Sequence, residues 1–315
     1  MLVEIYATSD VGQKRKNNED NYLILDLTAR YYWTGTEGAE PPVALHYLED
    51  CAKGVVLVAA DGLGGEVAGE VASRMAVETV RKMMAKIPPE SGQTLGEHLR
   101  LAAIASSQAI MEKGQDPNFH RLGSTFTGAA LQNGVLELAQ VGDSRAYLIR
   151  GDEIKQITKD QTLVQQLVDI GQISEAEAER HPYKHVLVQA LGTESGVNPA
   201  TGRIYLQRGD LVLLCSDGLS GKLGEEDLKS IVQSSETLAE ACARLVAEAN
   251  ARGGEDNITV VLARASGEDL PAPDGTNIKL ERLDAHENED TTLNVTFDNL
   301  QSTIPSLFSD APHND

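Results

Sequence analysis

The chain has 315 residues, of which 41% are hydrophobic and 24% are charged, and these proportions are ordinary for a soluble globular protein. Its formal net charge of −21 at pH 7 disfavours nucleic acid and anionic membrane surfaces as partners, because a strongly negative field repels both. The same charge favours divalent cations, although surplus acid is also a common route to solubility.

The sequence carries no sign of membrane insertion or export. No apolar run reaches the length of about 20 residues that a membrane-spanning helix needs. The N-terminus has early acidic residues and no basic stretch followed by an apolar one, so we expect no secretory signal. The cysteines are scattered and form no C-x-x-C pair: Cys51, Cys215 and Cys242. Such isolated thiols are typical of a reducing compartment, and we expect a cytoplasmic protein.

Residues 1–266 alternate between strand and helix patterns. An aromatic-rich insertion is predicted at residues 30–50, and two long helices are predicted after it. The first helix has a stripe at intervals of four residues: Val67, Val71, Met75, Thr79 and Met83. The second has its own stripe: Leu95, Leu99, Ala102, Ala103 and Ile110. Pro88-Pro89 breaks the chain between these helices.

Residues 126–157 differ, because short apolar segments alternate there with dipeptides that favour tight turns: Asn133-Gly134, Asp143-Ser144 and Gly151-Asp152. This pattern predicts an antiparallel meander. Residues 158–200 are predicted to form an inserted flap with two short helices, and residues 237–252 form a further amphipathic helix. Since no helix fits between the meander strands, the fold class is α+β, with an antiparallel sheet and helices packed outside it.

The C-terminal residues 267–315 are acidic and have no sustained period, so we predict a disordered tail. Within this tail, Asp290-Thr291-Thr292 could be a phosphorylation site that a phosphothreonine-binding module reads. A solvated extension without any binding role is the alternative for the whole segment.

Acidic residues stand at the ends of the most apolar strands. Residues 55–60 run into Asp61-Gly62-Leu63, and residues 211–215 run into Asp217-Gly218-Leu219. Three more acidic groups adjoin strands: Asp143, Asp256-Asn257 and Asn18-Glu19-Asp20-Asn21. A single Asp-Gly is usually only a turn, but five such groups can place carboxylates along one rim.

Clustered carboxylates raise one another's pKa, and cations remove that penalty. A ligand set made only of oxygen favours Mg²⁺ or Mn²⁺. A carboxylate shared by two ions about 3.5–4 Å apart makes a centre that promotes attack of water on phosphorus. The basic residues Lys14, Arg15 and Lys16 are either solvated surface or a clamp for that phosphate, a role for which the forked guanidinium is best suited.

At these residues the sequence resembles the metal-dependent protein phosphatases of type 2C, and in particular their bacterial branch. The matching stretches occur in the family's order within residues 1–266: 9–12 with 15–20, 60–65, 123–125, 141–147, 216–219 and 256–259. Any one stretch is weak evidence, but six in order are highly specific. The resemblance implies a central antiparallel β-sandwich flanked by helix layers (α/β/β/α) and hydrolysis of phosphoserine and phosphothreonine by a water that bridges two Mg²⁺ or Mn²⁺ ions.

The resemblance also implies the metal ligands. Asp61, Asp217 and Asp256 would bind the first ion. Asp61 would bridge to the second ion, which the Gly62 carbonyl and Glu19 would complete.

Other residues have implied roles around these ligands. Arg15 would bind the substrate phosphate, and Asp20 would hold metal-bound water. Asp143, together with Asp217, would serve the third ion of bacterial members, and Asn257 would support the ligands from behind. The implied partners are phosphorylated proteins and an opposing serine/threonine kinase in a signalling pathway, with the phosphatase acting as a monomer.

Two positions depart from the family pattern. Leu63 stands where many eukaryotic members have a histidine that is a proposed general acid, so another group must protonate the leaving group. His120, His181 and His185 are available, although a lone histidine is more often structural. At the start of the flap, Gln161 stands where relatives usually carry histidine, which puts contacts between the flap and the substrate in doubt.

Two alternatives remain open beside a protein phosphatase. One is another two-metal phosphoesterase that acts on a nucleotide or a small phosphate. The other is a catalytically dead homologue that serves as a binding module, but such a copy would be expected to have lost Asp61, Asp217 or Asp256.

Overall fold

The computed structural model describes residues 1–35, 40–64, 68–87, 91–117, 119, 122–193, 196–274 and 277–282. Most of the predicted tail lies outside the described residues, as does the hypothetical phosphorylation site at Thr291-Thr292. The Pro88-Pro89 break between the predicted helices also lies outside them.

The described chain consists of strands, helices and one 3₁₀ turn at Val43–Leu45. The strands are β1 (Leu2–Asp10), β2 (Asn21–Asp26), β3 (Tyr31–Thr34), β4 (Tyr47–Leu48), β5 (Val55–Ala60), β6 (Gly62–Leu63), β7 (Gly123–Ser124), β8 (Phe126–Gln132), β9 (Val135–Val141), β10 (Arg145–Arg150), β11 (Glu153–Gln156), β12 (Ala200–Tyr205), β13 (Leu211–Cys215), β14 (Ile258–Ser266) and β15 (Glu281–Arg282). The helices are α1 (Ala68–Met84), α2 (Leu95–Lys113), α3 (Leu163–Asp169), α4 (Glu175–Ala178), α5 (Asp217–Ser220), α6 (Glu225–Ser234) and α7 (Leu238–Ala251).

Two antiparallel sheets form the centre of the molecule. One has six strands in the order β11-β10-β13-β14-β1-β4, and the other has seven in the order β15-β12-β9-β8-β5-β2-β3. The longest pairing joins β1 to β14, from Leu2 opposite Ser266 to Asp10 opposite Ile258. Two strands that are far apart in the sequence therefore lie side by side inside one sheet.

The central strands are buried on both faces, which explains why their sequences are continuous apolar runs. In β5, Val55 and Leu57 face the core between the two sheets, whereas Val56 and Val58 belong to the core under the helices α1 and α2. A third core lies between the six-stranded sheet and the helices α5, α6 and α7. The four layers are helix, sheet, sheet and helix, so the predicted α+β sandwich is confirmed.

The predicted meander is wrong at its centre. The strands β8 and β9 belong to the seven-stranded sheet, but β10 and β11 belong to the six-stranded sheet. The chain changes sheets at Gly142-Asp143-Ser144, where Gly142 has φ +100° and an added Cβ would lie 2.8 Å from Thr125 Cγ2. Only glycine fits this corner, and the corner carries Asp143 out to the end of the sandwich.

The first helix buries a stripe that differs in part from the predicted one: Val71 and Met75 are partly buried against the same core, and Val67 lies outside the described residues. Its buried face contains Ala72, Ala76, Val77, Val80 and Met84, while Met83 is 37% exposed. The buried face combines small and larger apolar residues, and the small ones let α1 pack closely against α2 and the sheet. The stripe predicted for α2 is confirmed, with Leu95, Leu99, Ala102, Ala103 and Ile110 all buried.

The flap and the insertion form separate additions to the sandwich. In the flap, Ser174 caps α4 through a reciprocal bond with Glu177, and an isolated bridge pairs Thr162 with Leu187. In the insertion, β3 and β4 lie at the edges of different sheets. Within the described chain, none of the helices has the length and apolar character needed to cross a bilayer.

Packing continues beyond residue 266, so the predicted start of the tail lies too early. Leu270 and Ile278 are each 2% exposed and belong to the core between the sheets. The short strand β15 then pairs with the edge strand β12. Residues 267–274 and 277–282 form a segment, here called the strap, that belongs to the folded unit.

Candidate metal centre

The acidic residues singled out from the sequence lie at one end of the sandwich. Asp20 directly precedes β2 and Asp61 directly follows β5, and these two strands are paired with Asn21 opposite Ala60. In the other sheet, Asp217 follows β13 and Asp256 precedes β14 by two residues, and these strands are also paired. Asp143 joins the same end because the chain changes sheets there.

The charges of these acids act on one another across this end of the sandwich. Burial raises the pKa of Asp61 well above its ordinary value, and the charges of four other acids raise it further: Asp20, Asp217, Asp143 and Asp256. Burial raises the pKa of Asp20 to about 7, against hydrogen bonds that lower it. Burial, followed by the charge of Asp217, also raises the pKa of Asp143 to about 7.

Among the described residues, two buried carboxylate oxygens have no hydrogen-bond partner, and this observation tests whether cations fit the site. They are Asp20 Oδ1 and Asp217 Oδ1. A buried oxygen without a donor is costly, and a hard divalent cation is the kind of ligand that satisfies it. The donor set is oxygen from carboxylates, so Mg²⁺ or Mn²⁺ fits the chemistry of the residues present.

The acids at this end of the sandwich, here called the rim (Asp20, Asp61, Asp143, Asp217 and Asp256), lie near one another without enclosing a single position. Among the residues that the structure describes, no three Asp, Glu, His or Cys side chains stand close enough together to surround one ion. The carboxylates repel one another, and Asp256 is instead paired with Arg15, whose Nη2 donates to Asp256 Oδ2 at 2.8 Å. The Arg15 side chain is 49% exposed, so this contact lies on the open side of the rim.

Glu19 and the Gly62 carbonyl meet at the start of α1. A Cβ added at Gly69 would lie 2.5 Å from Glu19 Oε2 and 2.8 Å from the Gly62 oxygen. Only glycine at position 69 leaves room for both oxygens beside the helix backbone. The structure thus brings together the two residues implied as ligands of the second ion.

Asn257 connects the loop before β2 to the start of β14. Its Oδ1 accepts a hydrogen bond from the Glu19 amide at 2.8 Å, and its Nδ2 donates to the carbonyls of Val11 and Asn17 at 2.9 and 3.0 Å. Its own amide donates to Asp256 Oδ1 at 2.9 Å. This one side chain therefore fixes the loop that carries Glu19 against the strand end that carries Asp256.

Several hydroxyl groups that sequence reasoning did not assign also hold the rim. Ser216 Oγ donates to Asp20 Oδ2 at 2.6 Å. Thr125 exchanges hydrogen bonds with the backbone of Asp61, and its Oγ1 lies 2.7 Å from Ser144 Oγ. The matched stretches at 123–125, 141–147 and 216–219 contain these residues, but their contacts depend on pairing between distant strands.

A cavity of about 770 Å³ lies between the flap and the turn after β13, and both Asp143 and Asp217 line it. From the flap, His185 places Nδ1 3.5 Å from Asp217 Oδ2, and this contact raises the pKa of His185. His181 stacks at a tilt on Tyr183, whereas His120 lies outside the described residues. Of the two described histidines singled out from the sequence, His185 is the one beside an acid of the rim.

Known proteins resemble this chain in both sequence and fold. The family profile described as "Protein phosphatase 2C" matches residues 44–262. The chain is 34% identical over 267 residues to protein phosphatase PhpP of Streptococcus pneumoniae, which covers 85% of this chain and 99% of PhpP.

Solved structures agree with that match. The S. agalactiae serine/threonine phosphatase superposes with a TM-score of 0.72 at 30% identity, covering 83% of this chain and 98% of that one. The catalytic domain of the phosphatase PstP, solved with two manganese ions, gives a TM-score of 0.67 at 33% identity, covering 85% of this chain and all (100%) of that one. The predicted family is confirmed: the chain belongs to the protein phosphatase 2C family.

Proposed function

We propose that this protein is a serine/threonine protein phosphatase that hydrolyses phosphoserine and phosphothreonine with two Mg²⁺ or Mn²⁺ ions held at the acidic rim. The observation that carries the proposal is the state of Asp61, whose pKa is raised by burial and by four surrounding carboxylates. A relative at 33% identity, PstP, has been solved with two manganese ions, and that result supports the same chemistry here.

Two sets of residues would hold the ions. Asp61, Asp217 and Asp256 are proposed for the first ion, and Asp61 is shared with the second. Glu19 and the Gly62 carbonyl, which meet beside Gly69, complete the second set. When bound, the two cations supply charge that stabilises the phosphate and lowers the pKa of a water for attack on phosphorus.

The remaining residues bind and orient the reactants. Arg15 is proposed to bind the phosphate, a role in which it would exchange its bond to Asp256 for bonds to phosphate oxygens. Asp20 is held by Ser216 through Oδ2, which fixes the carboxyl group that would orient water. Asp143 with Asp217 is proposed for a third ion, and Asn257 keeps the Glu19 loop in place.

The partners follow from this activity and from charge. The substrates are phosphorylated proteins, and a serine/threonine kinase is proposed as the opposing enzyme. The net charge of −21 supports the absence of nucleic acid and membrane surfaces among the partners. A monomeric, cytoplasmic phosphatase remains part of the proposal.

The experiment compares hydrolysis of a phosphothreonine peptide and of p-nitrophenyl phosphate with added Mn²⁺ and with chelator. Wild type should be active on both with Mn²⁺ only, and Asp217→Asn should lose both activities. The matched control is Asp152→Asn, which removes one exposed acid in the β10–β11 turn. Activity that survives the chelator would overturn the mechanism.

The same experiment separates the alternatives. Hydrolysis of nucleotides but not of the peptide would favour another two-metal phosphoesterase. A binding module is favoured if Asp217→Asn still rescues a strain that lacks the gene, because such a module does not need the carboxylate.

A further inference from the structure

Gln161 lies at the joint between the flap and the corner that carries Asp143. Its side-chain Oε1 accepts a hydrogen bond from the backbone amide of Gly142 at 2.8 Å. Its backbone amide donates to the Gly142 carbonyl at 3.0 Å. Its carbonyl accepts from the Val188 amide at 2.8 Å. One residue therefore joins the beginning of the flap, a later part of the flap and the residue before Asp143.

The corner itself has little regular structure to hold it. Between β9 and β10 the chain leaves one sheet for the other, so the ladder hydrogen bonds stop at Val141 and resume at Arg145. Side chains replace the ladder: Gln140 Nε2 donates to the carbonyls of Gly142 and Ser144, both at 3.2 Å. Gln161 satisfies the Gly142 amide, which is the remaining donor on that side of Asp143.

Hydrogen bonds also connect this corner to Asp61. Ser144 Oγ contacts Thr125 Oγ1 at 2.7 Å, and Thr125 Oγ1 accepts from the Asp61 amide at 2.9 Å. A shift of the corner would thus move Asp143 directly and Asp61 through one intermediate residue. The flap is connected to both acids through Gln161.

We propose that Gln161 is a positioning residue that fixes Asp143 at the rim, so that the placement of the flap sets how tightly Asp143 and Asp217 bind a divalent cation. The inference rests on the proposed function, in which these two acids serve the third ion. It gives a role to the residue that departs from the family pattern, because the amide oxygen of glutamine provides the acceptor that Gly142 needs.

The matched pair of variants is Gln161→Met, which keeps the length of the side chain but has no acceptor oxygen, and Gln161→Glu, which keeps the acceptor. Both variants lose the side-chain donor that reaches the Gln140 carbonyl at 3.5 Å, so the pair isolates the acceptor. Gln165→Ala is the control, because it also truncates a glutamine of the flap, but one whose Nε2 donates to Asp169 of α3 at 3.1 Å instead of contacting the corner. Mn²⁺ alone is titrated into the full chain by calorimetry, and thermal midpoints are measured in chelator to check folding.

We expect two classes of Mn²⁺ site in the wild type. In Gln161→Met the weaker class should bind roughly 10-fold less tightly, as is typical when a group supporting a ligand is removed, with the tighter class unchanged. Gln161→Glu and Gln165→Ala should keep the weaker class. Asp143→Asn should abolish it, which identifies the site.

The outcomes separate this inference from the proposed function. If the wild type binds no Mn²⁺, the metal centre itself fails. If the wild type binds two classes and Gln161→Met leaves both unchanged, only the role of Gln161 is refuted, and an unaffected weaker class in Asp143→Asn refutes it equally. If Gln161→Met fails to fold, Gln161→Ala replaces it in the same titration. The same weakening of the weaker class is then expected, and an unchanged weaker class refutes the role of Gln161.

Discussion

Asp61 shows, at the scale of one residue, how a site made for cations weakens the fold that carries it. Burial and the charges of neighbouring carboxylates raise its pKa, so the metal-free fold is penalised for keeping this group ionised. We predict that Asp61→Asn lowers kcat by roughly 10³-fold or more, since Asp61 is the proposed shared ligand and several kcal/mol of stabilisation would be lost with it. The same change should raise the thermal midpoint in chelator, because an asparagine can be buried at this position without taking up a proton or a cation.

Both effects are measured on one preparation, by kinetics with Mn²⁺ and by thermal unfolding in chelator. Asp152→Asn is the matched control, because it removes an equal charge from an exposed turn. A lower midpoint in chelator for Asp61→Asn would show that the Asp61 carboxylate is satisfied without cations, contrary to the raised pKa.

The acids also predict how the stability of the metal-free protein depends on pH. The pKa values of Asp20 and Asp143 are raised from 3.8 to about 7 in the folded chain. Between these values the folded chain binds more protons than the unfolded chain, so the free energy of unfolding falls as pH rises. This stabilisation is complete below about pH 4 and is lost as pH passes through about 7.

Urea unfolding in chelator between about pH 5 and pH 8 tests this dependence. The double variant Asp20→Asn with Asp143→Asn should show a smaller loss of stability over that range, and excess Mn²⁺ should reduce the loss in wild type by binding the charged form. Equal slopes for the variant and the wild type in chelator would contradict the assignment to these two residues.

The grouping of the acids at one end of the sandwich could be predicted from sequence because they stand at strand ends in recognisable order. The residues that hold them could not. Ser216 contacts Asp20 across 196 positions, and Gly69 matters only because Glu19 and Gly62 converge on it. Such contacts depend on which strands pair, and local patterns contain no information about that pairing.

At the scale of elements, the strap connects the edges of the two sheets. Ile278 inserts into the core between them, while its amide and carbonyl bond Glu153 and Lys155 on β11. We predict that Ile278→Ala lowers the free energy of unfolding by about 2–4 kcal/mol, the usual cost of truncating a buried isoleucine. Urea unfolding measures it.

The control is Ile170→Ala, at a side chain that is 49% exposed, for which we expect a change within about 0.5 kcal/mol. A chain ending at Ser266 should be destabilised in the same way, whereas one ending at Arg282 should keep the stability of the core. If the chain ending at Ser266 is as stable as the longer one, the strap does not contribute to the fold.

The errors in predicting these elements have one common cause, which is that local composition does not show how a segment packs against distant parts of the chain. The strap has apolar residues eight positions apart without helix or strand period, so an acidic composition was its dominant feature. In α1 the buried face mixes small residues such as Ala72 and Ala76 with larger apolar ones, and hydrophobicity alone ranks the small ones below Val71 and Met75. The corner at Asp143 has the composition of an ordinary hairpin turn, and only the partners of β10 in the other sheet show that the chain crosses over.

For the whole molecule, long-range charge and local charge act on a substrate in different ways. The cavity beside the rim is lined by both signs near the flap, with Glu175 and Glu179 against Arg180 and Lys184. The charges of these four residues cancel, so the net charge of −21 determines which substrates are attracted over longer distances. Phosphopeptides with basic flanks should therefore be preferred over those with acidic flanks.

We predict that a phosphothreonine peptide flanked by lysines has a several-fold higher kcat/KM at low salt than one flanked by glutamates. The ratio should shrink toward one as the ionic strength approaches about 0.5 M, because the screening length falls to a few ångströms. A peptide with neutral flanks serves as the reference, and its rate should change least with salt. A preference that is large but independent of salt would place the selectivity in direct contacts with the cavity, and reversing the charge of Arg180 or Lys184 would then change it more than salt does.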